Sequence, residues 1–73
     1  MISYEPFYNT LKKKGISKYR LNKEGISRGT LFSMQQGVGI STHTINRICE
    51  ILDCEVEDVI KIVREDKEDD IKY

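Results

Sequence analysis

The chain holds two cysteines, one histidine, a single proline and no long apolar run. Each scarcity removes a class of function. A membrane span needs roughly 18 or more consecutive apolar residues, and the opening stretch MISYEPFYNT has neither the basic start nor the apolar core of a secretory leader. A cytoplasmic location is expected, with no membrane partner. Cys49 and Cys54 lie five apart at the end of an apolar helical pattern, where residues on one helix do not face each other, so no disulfide framework is expected. With His43 as the sole histidine, soft ligands are too few for a zinc site, and no cofactor is indicated. The sequence shows no nucleophile and base arrangement, no phosphate-cradling glycine loop and no acid pair in apolar surroundings. The chain is therefore not expected to be an enzyme.

What is present is a small charged domain. Its 73 residues are 38% apolar and 33% charged, enough to fold but with one core of modest size. A homodimer is expected on that ground. The formal net charge of zero conceals a separation along the chain. From Met1 to Arg47, eight basic residues face two acidic ones, a net of +6, and from Ile48 onward four basic residues face ten acidic ones, a net of −6. A polyanion would dock on the basic part. The other reading is an ordinary solvated surface whose two ends attract each other.

Helix signals repeat along the chain. The dipeptide Ile-Ser occurs at Ile2-Ser3, Ile16-Ser17, Ile26-Ser27 and Ile40-Ser41, and four positions after each serine stands Phe7, Leu21, Leu31 or Ile45. This is the spacing of an N-cap with a hydrophobic staple, so four helix starts are expected. A fifth is expected at Cys54-Glu55, with Val59 as staple partner. Gly15 and Gly25 fit left-handed caps, and Gly37 and Gly39 fit a loop. The sets Tyr4-Phe7-Tyr8-Leu11, Ile45-Ile48-Cys49-Leu52 and Val56-Val59-Ile60-Val63 follow helical periodicity and are expected core. Pro6 falls in a first turn, where a missing donor costs nothing. Ile51 and Ile62 would widen the apolar faces of helices four and five, as core or as a twofold contact. With no strand alternation, the class is all-α with five helices in residues 1–64. Residues 65–73 read as an acidic flexible tail.

The two short helices, about 18–24 and 28–36, carry the information. SKYRLNKEGISRGTLFSMQQ, from Ser17 to Gln36, reads as cap, short helix, glycine turn, second cap and second short helix. This is helix-turn-helix grammar, although an ordinary helical hairpin shares it. Leu31 and Met34 would face inward. Arg28, Gly29, Thr30, Ser33, Gln35 and Gln36 would face outward, with Phe32 as an aromatic among them. Arginine can bond a guanine edge in two places and glutamine an adenine edge, and glycine lets a backbone approach closely. Phe32 is either a wedge against a thymine methyl or sugar, or a core or interface residue. Lys12, Lys13 and Lys14 either complement the helix dipole or contact phosphate.

Residues Ser3 to Val63 resemble the phage-repressor-like (Cro/Xre-type) helix-turn-helix DNA-binding family, most tellingly in GISKYRL, EGISRGTL and STHTINRICEILDCEVEDVI. The resemblance implies a five-helix, lambda-repressor-like bundle with its third helix in the major groove of double-stranded DNA. It implies base contacts from Arg28, Gly29 and Ser33. It further implies backbone contacts from Lys18, Ser27, Thr30, Ser41, Thr42 and His43. Two departures stand out. Leu21 and Ile26 are five apart where the family usually has six, and Ser33, Gln35 and Gln36 stand where members often carry basic residues. The expected function is a sequence-specific transcriptional regulator, a repressor, of bacterial or phage type. No sensing domain for a small molecule is expected. The alternative is a protein-interaction module, antitoxin-like or anti-repressor, that keeps the scaffold without binding DNA.

Overall fold

The structure, a computed structural model, describes residues 1–64. Four α-helices, α1 (Glu5–Lys14), α2 (Lys18–Lys23), α3 (Arg28–Gln35) and α4 (Thr42–Leu52), precede a single 3₁₀ turn at Val56–Asp58. Two short strands, β1 (Ile2–Ser3) and β2 (Lys61–Ile62), pair antiparallel with Ile2 opposite Ile62 and Ser3 opposite Lys61. No helix among these residues is long and apolar enough to cross a membrane.

Three of the four serine starts are caps of the expected kind. The hydroxyls of Ser17, Ser27 and Ser41 accept the backbone N–H of Arg20 at 3.1 Å, Thr30 at 3.0 Å and Thr44 at 3.1 Å. Ser3 behaves differently. It lies in β1, its hydroxyl accepts only the Glu5 N–H, and α1 begins after Tyr4 without a side-chain cap. Ile2 and Ser3 stay extended because their backbone is engaged by the chain sixty residues later.

The helix ends share one device. The N–H of Ile16 bonds the carbonyl of Leu11, Ile26 that of Leu21, Val38 that of Ser33 and Cys54 that of Cys49, all between 2.8 and 3.1 Å. The residue before each donor is left-handed: Gly15 (φ 68°), Gly25 (φ 112°), Gly37 (φ 77°) and Asp53 (φ 53°). This six-to-one closure turns the chain back and lays the following residue against the last helical turn. The five-residue step from Leu21 to Ile26 is therefore this closure itself, and both side chains are buried.

The core consists of Tyr4, Phe7, Leu11, Leu21, Ile26, Met34, Ile48, Leu52 and Val59, and among the described residues it encloses no charged or polar side chain. Leu31, Ile40, Ile51 and Ile60 pack on its margin. Polar bonds at the edge tie distant segments together. The Tyr4 hydroxyl donates to the Val38 carbonyl at 2.7 Å, fixing the loop after α3 to α1, and Thr10 Oγ1 donates to the Asp58 carbonyl at 2.8 Å.

Two expectations are corrected here. The fifth α-helix is absent: one 3₁₀ turn, opened by the Glu55 N–H donating to Asp58 Oδ2 at 3.0 Å, gives way to β2. Val56, Val59, Ile60, Ile62 and Val63 are β-branched, and such residues suit an extended strand better than a helix. Only Val59 of that set is buried, and Ile62 is 61% exposed on β2 rather than part of a helical face. The domain is mostly helical as expected, and β1 and β2 add a small two-stranded sheet that the all-α reading did not contain. The expected acidic tail at 65–73 lies outside the described residues.

Cys49 and Cys54 are free, yet they stand together, because the left-handed Asp53 folds Cys54 back over the end of α4. Their thiols are close enough to influence each other's titration. The spacing argument held only for residues within one continuous helix. Burial, and then the neighbouring Cys49 thiol, push the Cys54 thiol up to about 11, and burial also raises Cys49. Since the thiolate is the nucleophile, alkylation of the native protein by iodoacetamide should be slow at about pH 8 and should still be accelerating above about pH 9. The denatured chain should react several-fold faster at the lower pH. A native rate that levels off below about pH 9 would contradict this environment.

Candidate nucleic-acid interface

Helix α3 rests on the core through Met34, with Leu31 at its margin. At about 100° per residue, Phe32 lies within about 40° of Arg28 and about 160° from Met34. The solvent face is accordingly a row of Arg28, Phe32 and Gln36, flanked by Gly29 and Gln35, all exposed. Ser33 lies at the edge of this face, half-buried, and its carbonyl closes the helix onto Val38. The helix carries no carboxylate, and Arg28 is its one charge. Gly29 has ordinary helical backbone, and a methyl there would meet only Ser27 Oγ at 3.9 Å. Packing does not require glycine at this position, where it costs about 0.5–1 kcal/mol relative to alanine.

The starts of α3 and α4 meet around a polar notch of about 250 Å³ lined by Ser27, Thr30, His43, Thr44 and Arg47 beneath the Gly25 turn. Ser27 Oγ donates to Thr30 Oγ1 at 2.9 Å, which leaves the Thr30 hydroxyl hydrogen free to donate outward. At the head of α4, Ser41 and Thr44 share a second hydroxyl pair at 2.9 Å. The serine caps satisfy the third helical N–H of each helix, so the N–H groups of Arg28, Gly29, Thr42 and His43 are left over for an outside acceptor. Such groups at a helix start, with the positive end of the helix dipole, suit a phosphate oxygen.

Arg47 links α4 to the turn before α3. Its Nη2 donates to the Glu24 carbonyl at 3.0 Å, and a Cβ built on Gly25 would stand 2.9 Å from that nitrogen. The guanidinium thus lies across the turn that connects α2 to α3. Sequence reasoning counted Arg47 only in the charge total. Its spacing of four from His43 places both on one side of α4 and was the available signal.

Residues 9–65 match the family model of the Cro/C1-type HTH DNA-binding domain. The chain belongs to that family. A solved structure similar to this Cro/C1-type domain is that of the transcriptional regulator VanUg in its Form II crystal, with 26% sequence identity and a TM-score of 0.80 over 88% of this chain and 87% of that one. No curated protein gives a sequence match to the chain.

Within the Cro/C1-type domain, the residues singled out from sequence divide into groups. Ser27, Thr30 and His43 come together in the notch, while Ser41 and Thr42 stand beside it at the head of α4. Arg28 and Gly29 lie on the open face of α3, with Ser33 at its margin. Lys18, at the start of α2, holds its ammonium 5.7 Å from the Tyr8 ring and does not line the notch. Lys61 with Glu5 at 3.3 Å is the one ion pair among the described residues, and it lies at the β1–β2 end. The basic side chains of α1 to α3 make none there.

The turn depends on Gly25. Any other residue at φ 112° is strained, and its Cβ would collide with Arg47 as well. Gly25→Ala should cost about 1–3 kcal/mol, lowering the melting temperature of a domain this small by about 4–8 °C per kcal/mol. Thermal unfolding followed by circular dichroism checks it. A melting temperature equal to that of the parent would mean that the turn is not held as described.

Proposed function

We propose that this Cro/C1-type domain is a sequence-specific transcriptional regulator that occupies operator DNA as a homodimer and represses by occupancy. The observation that carries the reading is the open face of α3. It has no carboxylate, one arginine, and a glycine that packing does not require. Laid in the major groove, that face brings Arg28 to a guanine edge, lets the backbone at Gly29 come close, and sets Ser33 at the rim of the contact. The name of the similar structure, a transcriptional regulator, supports the same reading.

The backbone contacts follow from the chemistry around the notch. Thr30 and the free N–H groups of Thr42 and His43 offer donors to one phosphate, with Ser27 and Ser41 setting the geometry of the two helix starts. Lys18 supplies charge from α2, and Arg47 adds a cation at the base of the notch. Such contacts set register and orientation, whereas α3 reads sequence. A homodimer presents two α3 helices to successive major grooves, one turn or roughly 34 Å apart. An apolar groove of about 580 Å³ between α4 and the 3₁₀ turn, lined in part by Ile45, Cys49, Val56 and Ile60, supports association of two copies. The cytoplasm is the matching location.

Anisotropy titrations of the purified protein with labelled mixed-sequence duplex, from about 50 to 200 mM salt, test the proposal. A dimer that neutralises six or more phosphates should lose about 10³-fold or more in affinity across that range. This should hold despite the formal net charge of zero, because the cations of the first 47 residues act locally. No binding at the lowest salt would overturn the reading and favour a protein partner instead. On an operator selected from a random library, Arg28→Ala should cost about 1–3 kcal/mol and relax specificity at one base pair per half-site. An equal loss on every sequence would demote Arg28 to a phosphate contact.

A further inference from the structure

We propose that Phe32 is a specificity determinant, packing its ring against the 5-methyl group of one thymine in each half-site. The inference rests on the duplex-binding function above. Phe32 is 61% exposed, so it belongs to neither the core nor its margin. It occupies the middle of the α3 face, one turn after Arg28 and one turn before Gln36. The other strongly exposed aromatic, Tyr19, has the Lys23 ammonium 5.9 Å from its ring centroid. No cation and no second ring lies against Phe32 among the described residues.

A phenyl ring has no donor or acceptor to offer a base edge, and the apolar group that the major-groove floor presents is the thymine methyl. The neighbours of Phe32 favour DNA over a protein partner. Along the face they are Arg28, Gly29, Gln35 and Gln36, a single apolar group ringed by hydrogen-bonding side chains rather than a continuous apolar patch. Four residues advance about 6 Å along a helix, and two base steps of DNA span about 7 Å. Arg28 and Phe32 therefore address base pairs within about two steps of each other. Gly29, beside both, lets the helix approach closely enough for a ring to touch the groove floor.

The test uses the full chain and an operator enriched from a random duplex library. Each thymine is replaced singly by deoxyuridine, which removes the methyl and leaves the hydrogen-bonding edge intact. Covering one methyl is worth about a fourfold change in affinity. One thymine per half-site should thus show a loss of about three- to fivefold on replacement, and F32A should bind the thymine and uracil duplexes equally. F32L, which keeps an apolar contact, should retain a preference for thymine. Because the ring is exposed, F32A should unfold within a few degrees of the parent, which establishes that the variant is folded. A parent chain indifferent to every uracil, or an F32A variant as sensitive as the parent, overturns the inference and leaves the regulator reading standing. Failure of the parent chain to enrich any duplex overturns both.

Discussion

Every helix in this domain must be stopped and turned within two residues, and a single backbone arrangement does so four times. A residue in the left-handed conformation follows the helix, and the next N–H returns to the carbonyl five positions back. The stop matters because the core is small. Nine buried side chains make it up, six from the four short helices and three, Tyr4, Ile26 and Val59, from residues that flank the helices and the 3₁₀ turn, and helices of six or eight residues do not persist in water alone. Each closure folds an apolar residue onto the last turn of its own helix, Ile16 on Leu11 and Ile26 on Leu21. Packing thereby begins locally before the helices meet. Where the closing pair is Ser33 and Val38, the loop is instead tied to α1 through the Tyr4 hydroxyl.

The outer face of α3 and the notch inherit their precision from this arrangement. α3 offers its outer face only because Met34 and Leu31 occupy its inner one, and its start is set by the turn at Gly25 and the cap at Ser27. Arg47 adds a contact between non-consecutive elements, reaching from α4 to a carbonyl in the turn before α3. The notch formed there holds hydroxyls and helix-start N–H groups in fixed positions, at no cost in ordering long flexible side chains. The charge needed to attract a polyanion can then come from outlying lysines and arginines. A chain of zero net charge can therefore still present an attractive surface.

Much of this was legible in the residues because it is local. Ser17, Ser27 and Ser41 announce their helices through hydrogen bonds three residues long, and Gly15 and Gly25 mark left-handed ends that other side chains avoid. Asp53 in the same role gives no such signal, since aspartate is only occasionally left-handed. The proximity of Cys49 and Cys54 was hidden with it. The segment 56–63 was misread because its β-branched residues fit a helical spacing, while the element that decides the matter, β1, lies at the opposite end of the chain. For the interface, the start of α3 and the exposure of Arg28 and Gly29 followed from periodicity. Ser33, expected to face outward, is half-buried at the rim, and Arg47 was overlooked because its partner is a backbone carbonyl 23 residues earlier.

The strand pair has a different character from everything else in the fold. The helix closures each span five residues, whereas Ile2 and Ile62 meet across sixty, and the Met1 carbonyl accepts the Val63 N–H at 2.7 Å beside them. Closing so long a loop carries an entropic cost that short closures escape, and contacts of such separation form slowly. The two-residue strands therefore depend on the packing of the helices, which must bring Ile2 and Ile62 side by side. With two residues on each side and Ile62 exposed, the pair buries little of its own, a small unit of local stability set apart from the outer face of α3.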